Sequence, residues 1–106
     1  MLFRSTIFRF PGGSHARGTD MRRFIVENGY NYVDWNCIGG DTATIAPVPV
    51  ENIVSEVKRT FNSANSNSIT LLLHDTSSKR TSAEALPEII SFFREMGYEF
   101  VTIPNF

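Results

Sequence analysis

A chain of 106 residues, 42% hydrophobic and 12% aromatic, suits one small globular domain or part of a larger one and is too apolar for disorder. A net charge of −1 gives no electrostatic footprint for nucleic acid. No apolar run is long enough to span a membrane, and a single cysteine, Cys37, excludes an internal disulfide.

In chain order, Met1-Leu2-Phe3 runs straight into Arg4, and Arg9 interrupts the apolar stretch early, so no signal peptide is expected. Ser5 to Phe10 alternates and is rich in β-formers, which predicts a strand stopped by Pro11-Gly12-Gly13. Thr19 or Asp20 caps a helix through Asn28, with Met21, Phe24 and Ile25 as its apolar stripe and Gly29 as its stop. Tyr30 to Asp34 reads as a second strand. A loop follows from Asn36 to Val48, with Gly39-Gly40-Asp41 inside it. Pro49 opens a helix on which Val50, Ile53, Val54, Val57 and Phe61 repeat at helical spacing, a core face.

The run Ile69-Thr70-Leu71-Leu72-Leu73 has the length and bounds of a third strand. Thr81-Ser82-Ala83-Glu84 then has the form of a capping box for a helix running to Met96, with Pro87 in its early turns and Gly97 at its end. Glu99 to Ile103 reads as a last strand. Strand and helix alternate three times, which implies a parallel sheet. About four parallel strands and three helices fit either a small open sheet or an arc of a barrel.

In a parallel sheet, ligands gather at the carboxyl ends of the strands. Arg9, Asp34 and His74 close three successive predicted strands, the raw material of one polar site. Two of them have a plainer reading: Arg9 as a surface arginine at a strand end and His74 as a structural histidine. Arg17, Arg22 and Arg23 read as a solvated helix face, and Cys37 beside Trp35 and Ile38 as a small core filler. No His-x-x-x-His or Cys-x-x-Cys spacing occurs, so no metal site is expected from this chain's own residues.

Arg9-Phe10-Pro11-Gly12-Gly13-Ser14, then Asp34-Trp35, then Leu72-Leu73-His74-Asp75, then Gly97-Tyr98-Glu99-Phe100-Val101, resemble the later motifs and terminal strand of polysaccharide deacetylases. These are the NodB-like enzymes of carbohydrate esterase family 4. The resemblance spans nearly the whole chain and implies the C-terminal half of such a domain: α/β, a partial (β/α) barrel. It implies a metal-dependent N-deacetylase acting on N-acetylglucosamine units of peptidoglycan or a chitin-like polymer. The full-length protein would then act outside the cell or in its envelope. The divalent metal, zinc as a rule, and the catalytic base aspartate would come from the missing N-terminal half, a necessary partner. A non-catalytic carbohydrate-binding remnant of that domain is the alternative.

The resemblance also distributes roles. His74 stands where the general acid protonates the leaving amine, and Asp34 where a carboxylate favours its charged form. Arg9 stands where an arginine tethers the base aspartate of the other half. Gly12 stands where a backbone N–H steadies the oxyanion; Leu72 matches an acetyl-pocket leucine and Trp35 a wall of the substrate groove. The usual aromatic residue near Gly12 is absent. Asp41, Asp75 and His15 receive no role; Asp75 reads as a turn cap with Thr76.

Overall fold

The computed structural model describes residues 5–103; Met1-Leu2-Phe3-Arg4, where no leader was expected, lies outside the described residues. The described elements are four two-residue strands and three α-helices, with two single-turn 3-10 helices at Ser14–Ala16 and Ser77–Lys79. The strands and α-helices are β1 (Ile7–Phe8), α1 (Thr19–Glu27), β2 (Asn31–Tyr32), β3 (Cys37–Ile38), α2 (Val50–Ala64), β4 (Leu71–Leu72) and α3 (Arg80–Glu95). The chain divides into two compact units. The first holds the residues up to Asp34 with those from Val101 on; the second is Trp35–Phe100.

The first unit is one strand–helix–strand motif. β1 pairs with β2 in parallel, Ile7 opposite Asn31 and Phe8 opposite Tyr32. Backbone bonds from Asn31 to Thr6 and from Val33 to Phe8 extend the ladder past each end. Phe10 is buried, with its ring edge-on to Phe8 at 4.9 Å and to Tyr32 at 5.5 Å. Of the predicted α1 stripe only Ile25 is buried; Met21 and Phe24 are more than half exposed. Gly29 takes φ 84 just past α1, the left-handed stop that its position called for.

The second unit repeats the motif and adds a helix. β3 pairs with β4 in parallel, Cys37 opposite Leu71 and Ile38 opposite Leu72. The Asn36 side chain continues this ladder: its amide donates to the Ser68 carbonyl and its carbonyl accepts from the Thr70 N–H. α2 and α3 bury Ile53, Val54, Val57, Ala85, Ile89 and Phe93 with Cys37 and Val48. Each large side chain in this cluster contributes about 1.5–3 kcal/mol of burial. Phe61, Phe92, Phe93 and Tyr98 meet edge to face at its border, and the Tyr98 hydroxyl donates to the Ser66 carbonyl. Gly39 is where this unit closes most tightly: a Cβ there would stand 2.5 Å from Leu73 Cδ2 and 3.0 Å from Ile53 Cγ2.

The α/β order read from sequence is present except that β3 follows β2 directly, and other details differ: Gly18, not Thr19 or Asp20, is the cap residue of α1, with no side-chain cap bond. The predicted strand over 99–103 is not formed, because no described backbone group pairs with it. β3 lies instead inside the predicted loop 36–48; two apolar residues before Gly39-Gly40 are too short a pattern to betray a strand. The capping box is not made. α3 starts at Arg80 without a side-chain cap, and the Ser82 hydroxyl is engaged elsewhere. Pro49 precedes α2 as its cap residue, its carbonyl accepting from the N–H groups of Asn52 and Ile53.

Candidate functional site

The richest polar constellation lies in the second unit, where the chain leaves β4. His74 follows the strand by two residues, and its Nδ1 stands 2.9 Å from Asp41 Oδ1. The same aspartate receives the His74 backbone N–H at 2.7 Å and the Ser82 hydroxyl at 2.7 Å, both on Oδ2. The site therefore draws on three segments: the turn after β3, the end of β4 and the first turn of α3.

Asp41 is only 3% exposed, so its charge has to be justified by its partners. Burial pushes its carboxyl up; the Ser82 hydroxyl, the His74 N–H and the His74 imidazole together overcome that and hold it below the ordinary value of 3.8. An ionised carboxylate can only accept, so Nδ1 of His74 is the donor. Neutral His74 is thereby held with its proton on Nδ1 and its Nε2 outward, and among the described residues Nε2 makes no hydrogen bond. The His74 side chain is 33% exposed, open enough to exchange a proton with a bound molecule. Beside it lies a cleft of about 250 Å³ lined by His74, Asp75, Thr76, Lys79, Ser82 and Leu86 among others.

Lys79 is buried, and its ammonium donates to three carbonyls of the loop after Asp41: Thr44 at 2.6 Å, Ile45 at 3.3 Å and Ala46 at 3.5 Å. Asp75 is exposed. Leu72 shares a strand face with His74 by the two-residue period, whereas Leu73 points the other way and packs on the core. Trp35 is half-buried at the start of this unit.

The other predicted site residues belong to the first unit. The Asp34 carboxylate closes the turn after β1: it accepts the Ser14 N–H at 2.8 Å on one oxygen and the Ser14 hydroxyl on the other. Those two bonds from Ser14, hydroxyl first, hold its pKa below the ordinary value, with smaller help from His15 and Arg22. Gly13 N–H donates to the Phe10 carbonyl, closing a turn in which Gly12 takes φ 78, a conformation that favours glycine. Gly12 and Arg9 are exposed. Arg17 and Arg22, read as a solvated face, bind the Pro11 and Ser14 carbonyls and so brace the same turn.

The carboxylate that faces His74 is thus Asp41; the sequence reading had given that place to Asp34, and Asp34 is satisfied by Ser14. Asp41 and Ser82 went unassigned. The signal for Asp41 was the strand-end logic applied elsewhere: Cys37-Ile38 is a strand, and Asp41 follows it by three residues.

Among the described residues no three His, Cys, Asp or Glu side chains group as a metal site. His74 and Asp41 do not fit one as they stand. With Nδ1 on Oδ1 and two hydrogen bonds on Oδ2, the pair offers one unengaged donor atom, Nε2 of His74, too few for a zinc site of this chain's own. Among the described residues no helix is long and apolar enough to cross a membrane.

No family model and no curated protein matches the sequence. Solved structures do. A carbohydrate esterase family 4 esterase from Streptococcus mutans matches with a TM-score of 0.79 and 27% identity, over 91% of this chain and 42% of that one. The catalytic domain of a peptidoglycan N-acetylglucosamine deacetylase from Eubacterium rectale matches at 0.75 and 30%, over 93% and 47%. A polysaccharide deacetylase from Bacillus cereus matches at 0.73 and 25%, over 93% and 48%. The chain spans under half the length of each of these proteins. These likenesses place the chain in the polysaccharide deacetylase family, carbohydrate esterase family 4, and the shares covered are consistent with a C-terminal fragment of such a domain.

Proposed function

We propose that this chain supplies the acid side of a metal-dependent polysaccharide N-deacetylase, as an arc of a (β/α) barrel completed by an N-terminal half. The substrate is an N-acetylglucosamine unit of peptidoglycan or a chitin-like polymer. The observation that carries the reading is the His74–Asp41 pair: an imidazole fixed through Nδ1 on a buried carboxylate, with Nε2 directed away from it. Amide hydrolysis must protonate the leaving nitrogen as the tetrahedral intermediate collapses, and a histidine so oriented is suited to give that proton from Nε2. Asp41 holds the ring by accepting its Nδ1–H.

The base and the donors for a divalent metal, expected to be zinc, belong to the part of the domain this chain does not span; the metal would polarise the acetamide carbonyl. Arg9 is assigned to tether that base, the Gly12 N–H to steady the oxyanion, Leu72 to the acetyl group and Trp35 to the sugar groove. Action outside the cell or in its envelope goes with such a substrate.

The test is reconstitution. The chain is mixed or co-expressed with the N-terminal part of the Eubacterium rectale catalytic domain, and acetate release from N-acetylglucosamine oligomers and from peptidoglycan is followed. Release by the assembled pair, lost on His74→Ala, is expected. An assembled pair equally active with His74→Ala removes the acid role. Polymer binding by a zinc-loaded assembly without acetate release favours a carbohydrate-binding remnant.

A further inference from the structure

We propose that the first turn of α3 is the positioning element of the His74–Asp41 pair, with Ser82 fixing the carboxylate and Lys79 fixing the loop that carries it. This rests on the general-acid reading of His74.

Asp41 stands in a turn that by itself would not hold it. Gly39 and Gly40 precede it, Gly40 at φ 64, and residues 42–47 after it are all exposed, Ile45 at 98%. Such a segment has little packing of its own to define where a carboxylate points. Two bonds from α3 supply the definition. Ser82 is 3% exposed and has its hydroxyl on Asp41 Oδ2 at 2.7 Å. With the His74 N–H on that same oxygen, Oδ1 alone is left for the imidazole. The carboxylate is oriented by two donors before the ring is considered, and a ring that donates Nδ1–H then completes the set.

Lys79 acts one step farther out. Among the described residues no carboxylate pairs with its buried ammonium; three successive loop carbonyls do. A buried ammonium needs three acceptors, and the loop can provide them only when folded back over α3. The same turn that presents Ser82 thereby clamps residues 44–46 against it. Neither side chain donates to His74, so both are positioning residues.

The experiment begins on the chain alone. Nitrogen-15 NMR of the His74 ring reads the tautomer directly, and amide exchange reads residues 42–46 of the loop. In the unaltered chain the Nδ1–H tautomer should dominate. Ser82→Ala should lower its excess over Nε2–H at least threefold, and Ser82→Thr, which keeps the hydroxyl, should restore it. Lys79→Met should speed exchange in residues 42–46 about tenfold with α2 and α3 unaffected. Should Ser82→Ala not fold, Ser82→Cys reads the same quantity with a weaker donor.

In the reconstituted domain Ser82→Ala should lower kcat about tenfold with KM unchanged, a part of the hundredfold or more that a general acid supplies. A folded Ser82→Ala chain with the tautomer ratio unaltered overturns the positioning role, as does a loop indifferent to Lys79→Met. If no assembly ever releases acetate, the deacetylase reading fails, while the tautomer and exchange measurements still decide the positioning.

Discussion

Asp34 and Asp41 each follow a short parallel strand, one in each unit, and each has its carboxyl held below the ordinary value. Their surroundings differ in kind. Asp34 is partly open to solvent, and both its oxygens go to one residue, Ser14, twenty positions back; it ties a turn. Asp41 is buried, divides its oxygens between a histidine and a helix hydroxyl, and leaves one nitrogen of that histidine free. An acid at a strand end is common to both. What distinguishes a chemical site is burial combined with a titratable partner that still has an unused atom.

The largest expected effect is on activity. In the reconstituted domain, His74→Ala should lower kcat by about 10²-fold or more, and Asp41→Asn by a comparable factor because an amide can donate to Nδ1 and turn the ring to the wrong tautomer. Asp34→Asn should lower it far less, by about threefold, through the loosened turn that carries Gly12 and not through the His74 ring. Acetate-release kinetics decide; an Asp34 variant as damaged as the Asp41 variant would erase the contrast.

Next come the cores. Ile53 is fully buried between β3, α2 and α3, whereas Ile25 is the sole buried residue of α1. Ile53→Ala should cost about 4 kcal/mol and Ile25→Ala about 2 kcal/mol, because the thinner first unit can close part of the cavity. Urea unfolding of the chain checks the order. Glycines extend the comparison at lower cost. A Cβ at Gly39 strikes Leu73 and Ile53, so Gly39→Ala should cost about 1–3 kcal/mol through overpacking. A Cβ at Gly12 meets nothing within 4 Å, and Gly12→Ala there should cost only the left-handed backbone, about 1 kcal/mol.

The long helices were legible because their stripes are long: Val50, Ile53, Val54, Val57 and Phe61 repeat over about three turns of α2, and Gly29 and Gly97 mark the ends of α1 and α3 by backbone preference alone. His74 was legible because an apolar run led into it. β3 was not, since a two-residue strand has no period to read. Asp41 was hidden with it, and Ser82 was hidden by a stronger local pattern. In Thr-Ser-Ala-Glu the serine looks like part of a helix cap, yet tertiary contact with Asp41 claims its hydroxyl and the helix begins one residue before the motif. The Met21 and Phe24 stripe was overread for the opposite reason: helical spacing shows a face, and the neighbour that would cover it is not encoded in the spacing.

The smallest expected effect is the acid dependence of the Asp34 turn. Its carboxyl has a folded-state pKa below the ordinary 3.8, chiefly through the Ser14 hydroxyl and then the Ser14 N–H. A depressed carboxyl contributes stability that is fully present above its unfolded value and is lost as pH falls through the folded one. At pH 7, Asp34→Asn should therefore cost about 1 kcal/mol, the worth of a partly solvated hydrogen-bonded turn. As the medium is taken below the ordinary carboxyl range, the native chain loses that contribution and the variant, with nothing to protonate at this position, does not. The stability difference between the two should shrink toward zero. Asp41→Asn should follow the same sign from a larger starting difference, because its carboxylate is buried and serves three donors. Urea midpoints measured from neutral pH to below the carboxyl range test this. A difference for Asp34→Asn that stays constant with pH would mean that the turn is held by shape rather than by charge, and that the two aspartates differ even more than their bonds suggest.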